Sequence, residues 1–376
     1  MPAHAESEAL LRLLQSGAPA SALRRLLDSH GTACAALAAG SRDWASHGLR
    51  ATCHAAIRNP EPQQLAHAMR WLDDPAHHLL GWRDAAYPPL LQRIPTPPAM
   101  LFVAGDPALL WLPAVAIVGS RAATAGGCAN AAQFATALAK ANLCITSGMA
   151  AGIDAAAHTA ALDAGGVTVA VLGTGPDIAY PSRHRPLRDR IAAHGAVVSE
   201  HPPGTGPLRQ HFPSRNRILA GLSLGTVVIE AAEQSGALIS ARLAAEAGRE
   251  VFALPGSIHN PMARGCHRLI REGAQLVASP DEVLEVLAPL AADLAHALRG
   301  SLEASCGAAQ TTLPEPSLGD AAYNLLWQAL GHDPTGMDAL VERTGLTTAE
   351  VSSMLLALEL NGRIAAEHGR YARIGR

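Results

Sequence analysis

The chain has 376 residues, of which 49% belong to the apolar set AVILMFWYC and 16% are charged, with a net charge of −3. That composition excludes a largely disordered chain and a histone-like basic protein, and the length suits two or three domains. Of the 29 basic residues only Lys140 is lysine, a bias that fits GC-rich coding and also fits arginine's planar, two-pronged grip on phosphate.

The N-terminal MPAHAESEALL has no basic segment followed by an apolar one, so no secretory signal is expected. No uncharged apolar run reaches the roughly 20 residues of a membrane helix. The nearest, 101–118, is broken by Gly105, Asp106 and two prolines. Cys34, Cys53, Cys128, Cys144, Cys266 and Cys306 form no C-x-x-C pair, and no histidine cluster completes a zinc pattern, so no metal site is expected. These features fit thiols of a reducing compartment and a cytoplasmic protein without membrane attachment.

In chain order, residues 1–60 read as a helical module, with leucines at 10, 11, 13, 14 and then 23, 26, 27 at helical spacing. Residues 61–113, rich in Pro and Trp, read as a connector packed on the core domain. From 114 to 290 strands and helices alternate. Strands are expected at Ala114–Val118, Leu143–Ser147, Val167–Leu172, Ala196–Ser199, Thr226–Glu230 and Glu250–Leu254. Helices are expected at 126–140, 153–164, 183–193, 214–221, 237–247 and 263–271. The strands are continuous apolar runs, as a parallel sheet covered on both faces requires. The pattern implies a doubly wound, Rossmann-like, mostly parallel α/β domain, with ligands expected at the carboxyl ends of its strands. Residues 291–317 read as a linker. Residues 318–376 read as a winged helix: helices at 319–330, Met337–Glu342 and Thr348–Leu360, then a hairpin signal at Asn361-Gly362 followed by strands Arg363–Glu367 and Arg370–Ile374.

Several motifs sit at strand ends. Gly119-Ser120-Arg121 follows the first strand, where a glycine permits close approach and a hydroxyl and a guanidinium can meet phosphate. Ser147–Asp154 opens the next helix through a Gly/Ser turn, and Asp154 and His158 share a helix face. The segment 183–217 carries seven arginines against Asp189 and Glu200, a local balance of +5. Within it Arg209, Gln210, His211, Phe212 and Pro213 read as a loop before a helix capped by Ser214. A phenylalanine beside arginines in a loop suits base stacking. Glu230, after Gly225-Thr226, is either an acceptor for helix-start N–H groups or the acid/base of a nucleotide-cleaving enzyme. No nucleophile elbow, phosphate-binding Walker loop or metalloprotease motif is present, so no catalytic residues are assigned.

The stretches VAIVGSR, ITSGMAAGIDAAAH, GGVTVAVLGTGPDIAYP, SEHPPGTGPLRQHFPSRNRILAGLS, VVIEAAEQSGALISARLAAEAGREVFALPG and GCHRLIREGAQLV span 115–277. They resemble the DNA-processing protein A family (DprA, also called Smf), most specifically at FPSRNRILAGLS. The resemblance implies an N-terminal SAM-like module, a Rossmann-like core and a C-terminal winged helix. It implies a non-enzymatic, cofactor-free, single-stranded-DNA-binding recombination mediator. Such a protein protects incoming strands during natural transformation, displaces or bypasses single-strand-binding protein, helps load RecA, and forms a homodimer through the α/β domain. By motif, Gly119, Ser120 and Arg121 would hold phosphate, Arg209 and Phe212 would contact phosphate and base, and Arg215 and Arg217 would complete the pocket, with Asn216 fixing its geometry. The chain departs at Gly173–Asp177, and at His184 where asparagine is common. The fold is also shared by phosphoribohydrolase-like enzymes, whose signature is similar around Glu230 but lacks its leading glycine pair here.

Overall fold

One mixed sheet organises most of the chain, because its central strands are apolar on both faces and must be covered on both. The computed structural model describes residues 2–308, 321–331 and 335–347, and within 351–373 residues 351, 354, 355, 358, 364–367 and 370–373. These fall into two compact units, Met1–Leu298 and Arg299–Arg376. In the first unit β1 (His77–Gly81), β2 (Met100–Gly105), β3 (Ala114–Gly119), β4 (Cys144–Ser147), β5 (Thr168–Val171), β6 (Ala196–Ser199), β7 (Gly225–Ile229), β8 (Glu250–Ala253) and β9 (Gln275–Leu276) lie in the order β1-β2-β6-β5-β4-β3-β7-β8-β9. From β6 to β9 every pairing is parallel; β1–β2 and β2–β6 are antiparallel.

The six strands expected from the apolar runs appear as β3 to β8, joined by helices Ala125–Lys140, Ile153–Asp163, Arg185–His194, His211–Leu222 and Gly236–Glu246. Alternation along β3 divides the core. Val115 and Ile117 pack with Phe134 and Leu138 on one face. Ala116 and Val118 pack with Leu91, Ile218 and Leu222 on the other.

Residues 61–113 do more than connect. They supply β1 and β2, and the apolar run at 101–118 resolves into β2, a turn of 3-10 helix at Pro107–Trp111, and β3. β2 is buried along its whole length. Leu101 and Val103 enter the sheet core, whereas Met100 and Phe102 join the core of the N-terminal helices. Those helices, Pro2–Gln15, Ala20–His30, Ala33–Ala38, Ser41–Ser46, Ala51–Arg58 and Pro62–Trp71, close around Leu10, Leu13, Leu23, Leu26, Leu27 and Trp44.

Helix Pro280–Ala308 runs on through the first part of the segment expected as a linker; the rest of that segment lies outside the described residues. In the second unit, helices Ala321–Ala329 and Met337–Thr344 and helical residues 351, 354, 355 and 358 enclose Leu326, Leu330, Leu340, Val351, Leu355 and Ile364. β10 (Thr335–Gly336), β11 (Ile364–Glu367) and β12 (Arg370–Arg373) form an antiparallel sheet in the order β10-β12-β11. This is the winged-helix pattern; the turn expected at Asn361-Gly362 lies outside the described residues. Among the described residues no helix is long and apolar enough to cross a membrane.

His158 is fully buried beneath the sheet, its Nδ1 2.7 Å from Thr168 Oγ1, whose hydroxyl donates to Ile145 O at 2.6 Å. Burial, then the charge of Arg215, pushes its pKa from 6.5 down to about 3. The unfolded chain therefore binds a proton here that the folded chain refuses. Stability is complete above pH 6.5 and falls as pH drops toward 3, by up to about 1.4 kcal/mol per pH unit for this one group. His201, held down to about 4 by burial and by His211, acts in the same direction. In His158→Gln the fall in urea midpoint between pH 6.5 and pH 4 should be shallower than in wild type; an unaltered slope would contradict a neutral, buried imidazole.

Candidate functional site

The chain leaves β6 at one side of the sheet and re-enters beside β3 as β7, so the loops after β3 and β7 diverge and leave a crevice at their carboxyl ends. Gly119, Ser120 and Arg121 enter it from β3. A Cβ on Gly119 would stand 1.9 Å from Ile229 O and 2.6 Å from Ile153 Cγ1, so the glycine is demanded by packing of strand and helix. Ser120 is buried; its N–H donates to Glu230 O at 2.6 Å, and its Oγ accepts from the Ala122 N–H at 3.1 Å. This anchored turn leaves Arg121 exposed, without an ion-pair partner among the described residues.

The segment expected as a loop at 209–213 is a loop only as far as Gln210. Helix His211–Leu222 takes in Phe212 and Pro213 in its first turn, where proline's missing N–H has no helical acceptor to lose. Ser214 is accordingly not the cap, and its hydroxyl donates back to His211 O at 3.0 Å. Phe212 is thus held on a rigid helix start. Its ring lies 5.2 Å from that of Tyr180, and the Arg121 guanidinium stands 5.6 Å from its centroid.

Arg215, one turn further on, is 5% exposed. Its Nη1 donates to Gly148 O at 2.9 Å and to Val171 O, and its Nε donates to Asn216 Oδ1 at 2.9 Å. These carbonyls lie at the carboxyl ends of β4 and β5. Burial lowers the guanidinium's pKa to about 10, against the pull of nearby Asp154, so it stays charged at neutral pH. Asp154 is buried too; burial raises its pKa and Arg215 opposes the rise. Asn216 also reaches Gly236 O at 3.4 Å, tying helix His211–Leu222 to helix Gly236–Glu246.

Two adjoining cavities, of about 550 and 760 Å3, share Arg121, Ala150, Phe212 and Arg215. Tyr180 and Arg183 line the first; Ser120, Arg209 and Asn216 line the second. Asp154 is the sole carboxylate among their lining residues, against four arginines. Such a groove suits an anion with flat apolar groups and offers a metal ion little. Arg217 does not line it: on the far side of its helix it pairs with Glu200 at 2.5 Å. The basic run is divided in the same way. Arg188 pairs with Asp189 and Arg190 with Asp163, while Arg183 and Arg209 stay exposed. A larger cleft of about 850 Å3 near β8 has a mixed rim, with Arg242, Arg249 and Arg268 facing Glu233, Glu250 and Glu272, and so no comparable field.

Glu230 caps a helix. Its Oε2 accepts from the Thr124 N–H at 2.8 Å and its Oε1 from the Thr124 hydroxyl at 2.6 Å, at the start of helix Ala125–Lys140. With its carboxylate engaged there, it is poorly placed for proton transfer in the groove. Tyr180 belongs to no strand-end motif, and Arg183 enters the sequence reading only as the first of the seven arginines of 183–217. The signal that could have found Tyr180 is an aromatic in a Gly/Pro-rich loop after a parallel strand, in a chain with four tyrosines.

A family model described as DNA recombination-mediator protein A matches residues 78–288, and one described as the DprA winged helix domain matches 308–370. Protein Smf of Escherichia coli strain K12 is 42% identical over 309 residues, 81% of this chain and 80% of that protein. The DNA processing protein DprA of Streptococcus pneumoniae is 49% identical over 201 residues, 54% of this chain and 71% of that protein. The X-ray structure of DNA processing protein A from Streptococcus pneumoniae superposes with a TM-score of 0.66 at 39% identity, covering 73% of this chain and 96% of that one. A structure of DNA processing protein A from Helicobacter pylori, described as giving insight into its single-stranded DNA binding mode, has a TM-score of 0.52 at 29% identity and covers 57% and 96%.

A Cβ on Gly148 would stand 2.1 Å from Arg215 Nη2, so Gly148→Ala should unseat the buried guanidinium and destabilise the protein by about 1–3 kcal/mol. Gly126→Ala, in a helix where the added Cβ would meet only Thr124 Oγ1 at an ordinary 3.7 Å, should be neutral or slightly stabilising. Denaturant midpoints of the two variants measure the difference, and equal midpoints would remove the packing argument.

Proposed function

Because the chain belongs to the DNA recombination-mediator protein A family, we propose that it binds single-stranded DNA along the groove that runs from Arg121 to Arg209, as a step in DNA processing and recombination. The observation that carries this reading is the pairing of Phe212 with Arg121 at the rim of a crevice lined by four arginines and one carboxylate. Arg121, Arg183 and Arg209 are exposed and free of ion pairs among the described residues, as phosphate contacts must be. Phe212, backed by Tyr180, offers a face for a base. Phosphates are uniform and every base has a π-face, so the groove binds with little sequence preference. A duplex stacks its bases inward and cannot use Phe212, which makes the groove selective for single strands.

The chemistry required is binding and positioning, without catalysis or cofactor. In the wider reading the protein acts in the cytoplasm as a homodimer through its sheet domain. Two grooves on one strand raise avidity through effective concentration. The strand so protected is handed to RecA, bypassing single-strand-binding protein, as in uptake of DNA during natural transformation. The resemblance of 115–277 to the family's motifs supports this chain of events.

Fluorescence anisotropy of a labelled oligonucleotide across a salt series tests the groove. Arg121→Ala should weaken binding and reduce the slope of log affinity against log salt by about 0.7, the share of one phosphate contact on a single strand. Phe212→Ala should cost about 1–3 kcal/mol and leave the slope unchanged. Arg217→Ala, which breaks the pair with Glu200 outside the groove, should change the slope little. If neither Arg121→Ala nor Phe212→Ala alters affinity, the groove is not the binding site.

A further inference from the structure

We propose that the N-terminal helices carry a divalent transition-metal site, best matched to zinc, formed by His30, Asp43 and His47. His30 closes helix Ala20–His30, Asp43 lies on helix Ser41–Ser46, and His47 follows it by four residues, on the same helical face. His30 Nε2 is 2.7 Å and His47 Nδ1 3.3 Å from the same carboxylate oxygen, Asp43 Oδ2, and all three ligand atoms lie within 4.8 Å of one another.

Two imidazoles and a carboxylate are a donor set of the kind zinc takes, and three protein ligands leave a fourth position for water. With bonds of about 2.0–2.1 Å, neighbouring ligands on a tetrahedral zinc stand about 3.3 Å apart. His47 and Asp43 have that spacing already, and His30 needs to open by about 0.6 Å. The side chains are between 17% and 32% exposed, enough to admit an ion from solvent. His47 has the outer partner that an orienting shell requires: its Nε2 is 2.8 Å from Ser29 Oγ. With Nε2–H donated to Ser29, the Nδ1 lone pair points at Asp43 and His30.

The competing occupant of that space is a proton. His47 Nδ1 also stands 2.9 Å from Asp43 O, and with hydrogen on Nδ1 it would donate there while Ser29 donates to Nε2. The ion reverses this tautomer and links two helices across the turn that holds Ala33–Ala38. No spacing rule points to the site in sequence, since His30 is brought to the other two only by the fold.

The test uses the full chain under reducing conditions, with cobalt(II) as the spectroscopic probe and zinc in competition. The expected result is a saturable tetrahedral cobalt spectrum without a thiolate charge-transfer band, displaced by zinc. It should be lost in His30→Asn and His47→Asn, retained in Cys34→Ser, and weakened about 10-fold or more in Ser29→Ala. Asp43→Asn keeps the side chain's shape and removes its charge, so loss of the spectrum there with unchanged circular dichroism separates ligation from misfolding. No spectrum in wild type, a thiolate band, or a spectrum that survives both histidine variants would each overturn the site. Wild-type binding of protons alone, seen as a histidine titration that zinc does not alter, would overturn it too.

Discussion

The groove depends on one buried cation. Arg215 sits beneath it with its guanidinium on the carbonyls of Gly148 and Val171, at the open ends of β4 and β5. A charge so buried needs partners, and here two backbone oxygens meet Nη1, the Asn216 amide oxygen meets Nε, and the charge of Asp154 lies close by. The consequence is mechanical. Helix His211–Leu222 is fastened to the sheet at its first full turn, so the two side chains that precede the anchor, Arg209 and Phe212, are presented at a set height above the strand ends. The anchor also explains Gly148, whose missing side chain is the space the guanidinium fills.

Around that anchor the protein divides its arginines by task. Arg188, Arg190 and Arg217 are paired with Asp189, Asp163 and Glu200. The exposed Arg190–Asp163 pair contributes little stability, whereas Arg217–Glu200 is mostly buried; in all three pairs the cation is removed from the field outside. Arg121, Arg183 and Arg209 are left exposed, on different loops that converge at one crevice. The carboxylate that could have opposed them, Glu230, is turned aside to hold the start of helix Ala125–Lys140. A chain with a net charge of −3 thereby presents a cationic groove.

The sheet is extended by strands from outside the alternating region. β2 pairs antiparallel to β6 and lends one face to the sheet core and the other to the N-terminal helices. Its burial on both sides makes the helical region and the sheet one packed body within Met1–Leu298. That body seats the N-terminal helices firmly enough to bring His30 beside Asp43 and His47.

Much of this was legible in the chain itself. Parallel strands buried on both faces must be unbroken apolar runs, so β3 to β8 were readable to within a residue or two, and the winged-helix pattern came from leucine spacing and turn residues. The strand-end motifs pointed to Arg121, Arg209 and Phe212, and the family resemblance to Asn216; the fold brings all four to one crevice, because the carboxyl ends of a parallel sheet converge by topology. Pairing partners and facing directions were not legible. β1 and β2 are short and find partners only across a long separation; Pro213 reads as a loop residue until a helix start takes it in; and Arg215 and Arg217, two residues apart, point to opposite sides of one helix, one into the sheet and one to Glu200. The linear order of residues determined which elements form and which chemistry stands at their ends. The tertiary structure decided which charges are neutralised and which stay free, since ion pairing and burial depend on distances that chain order does not contain.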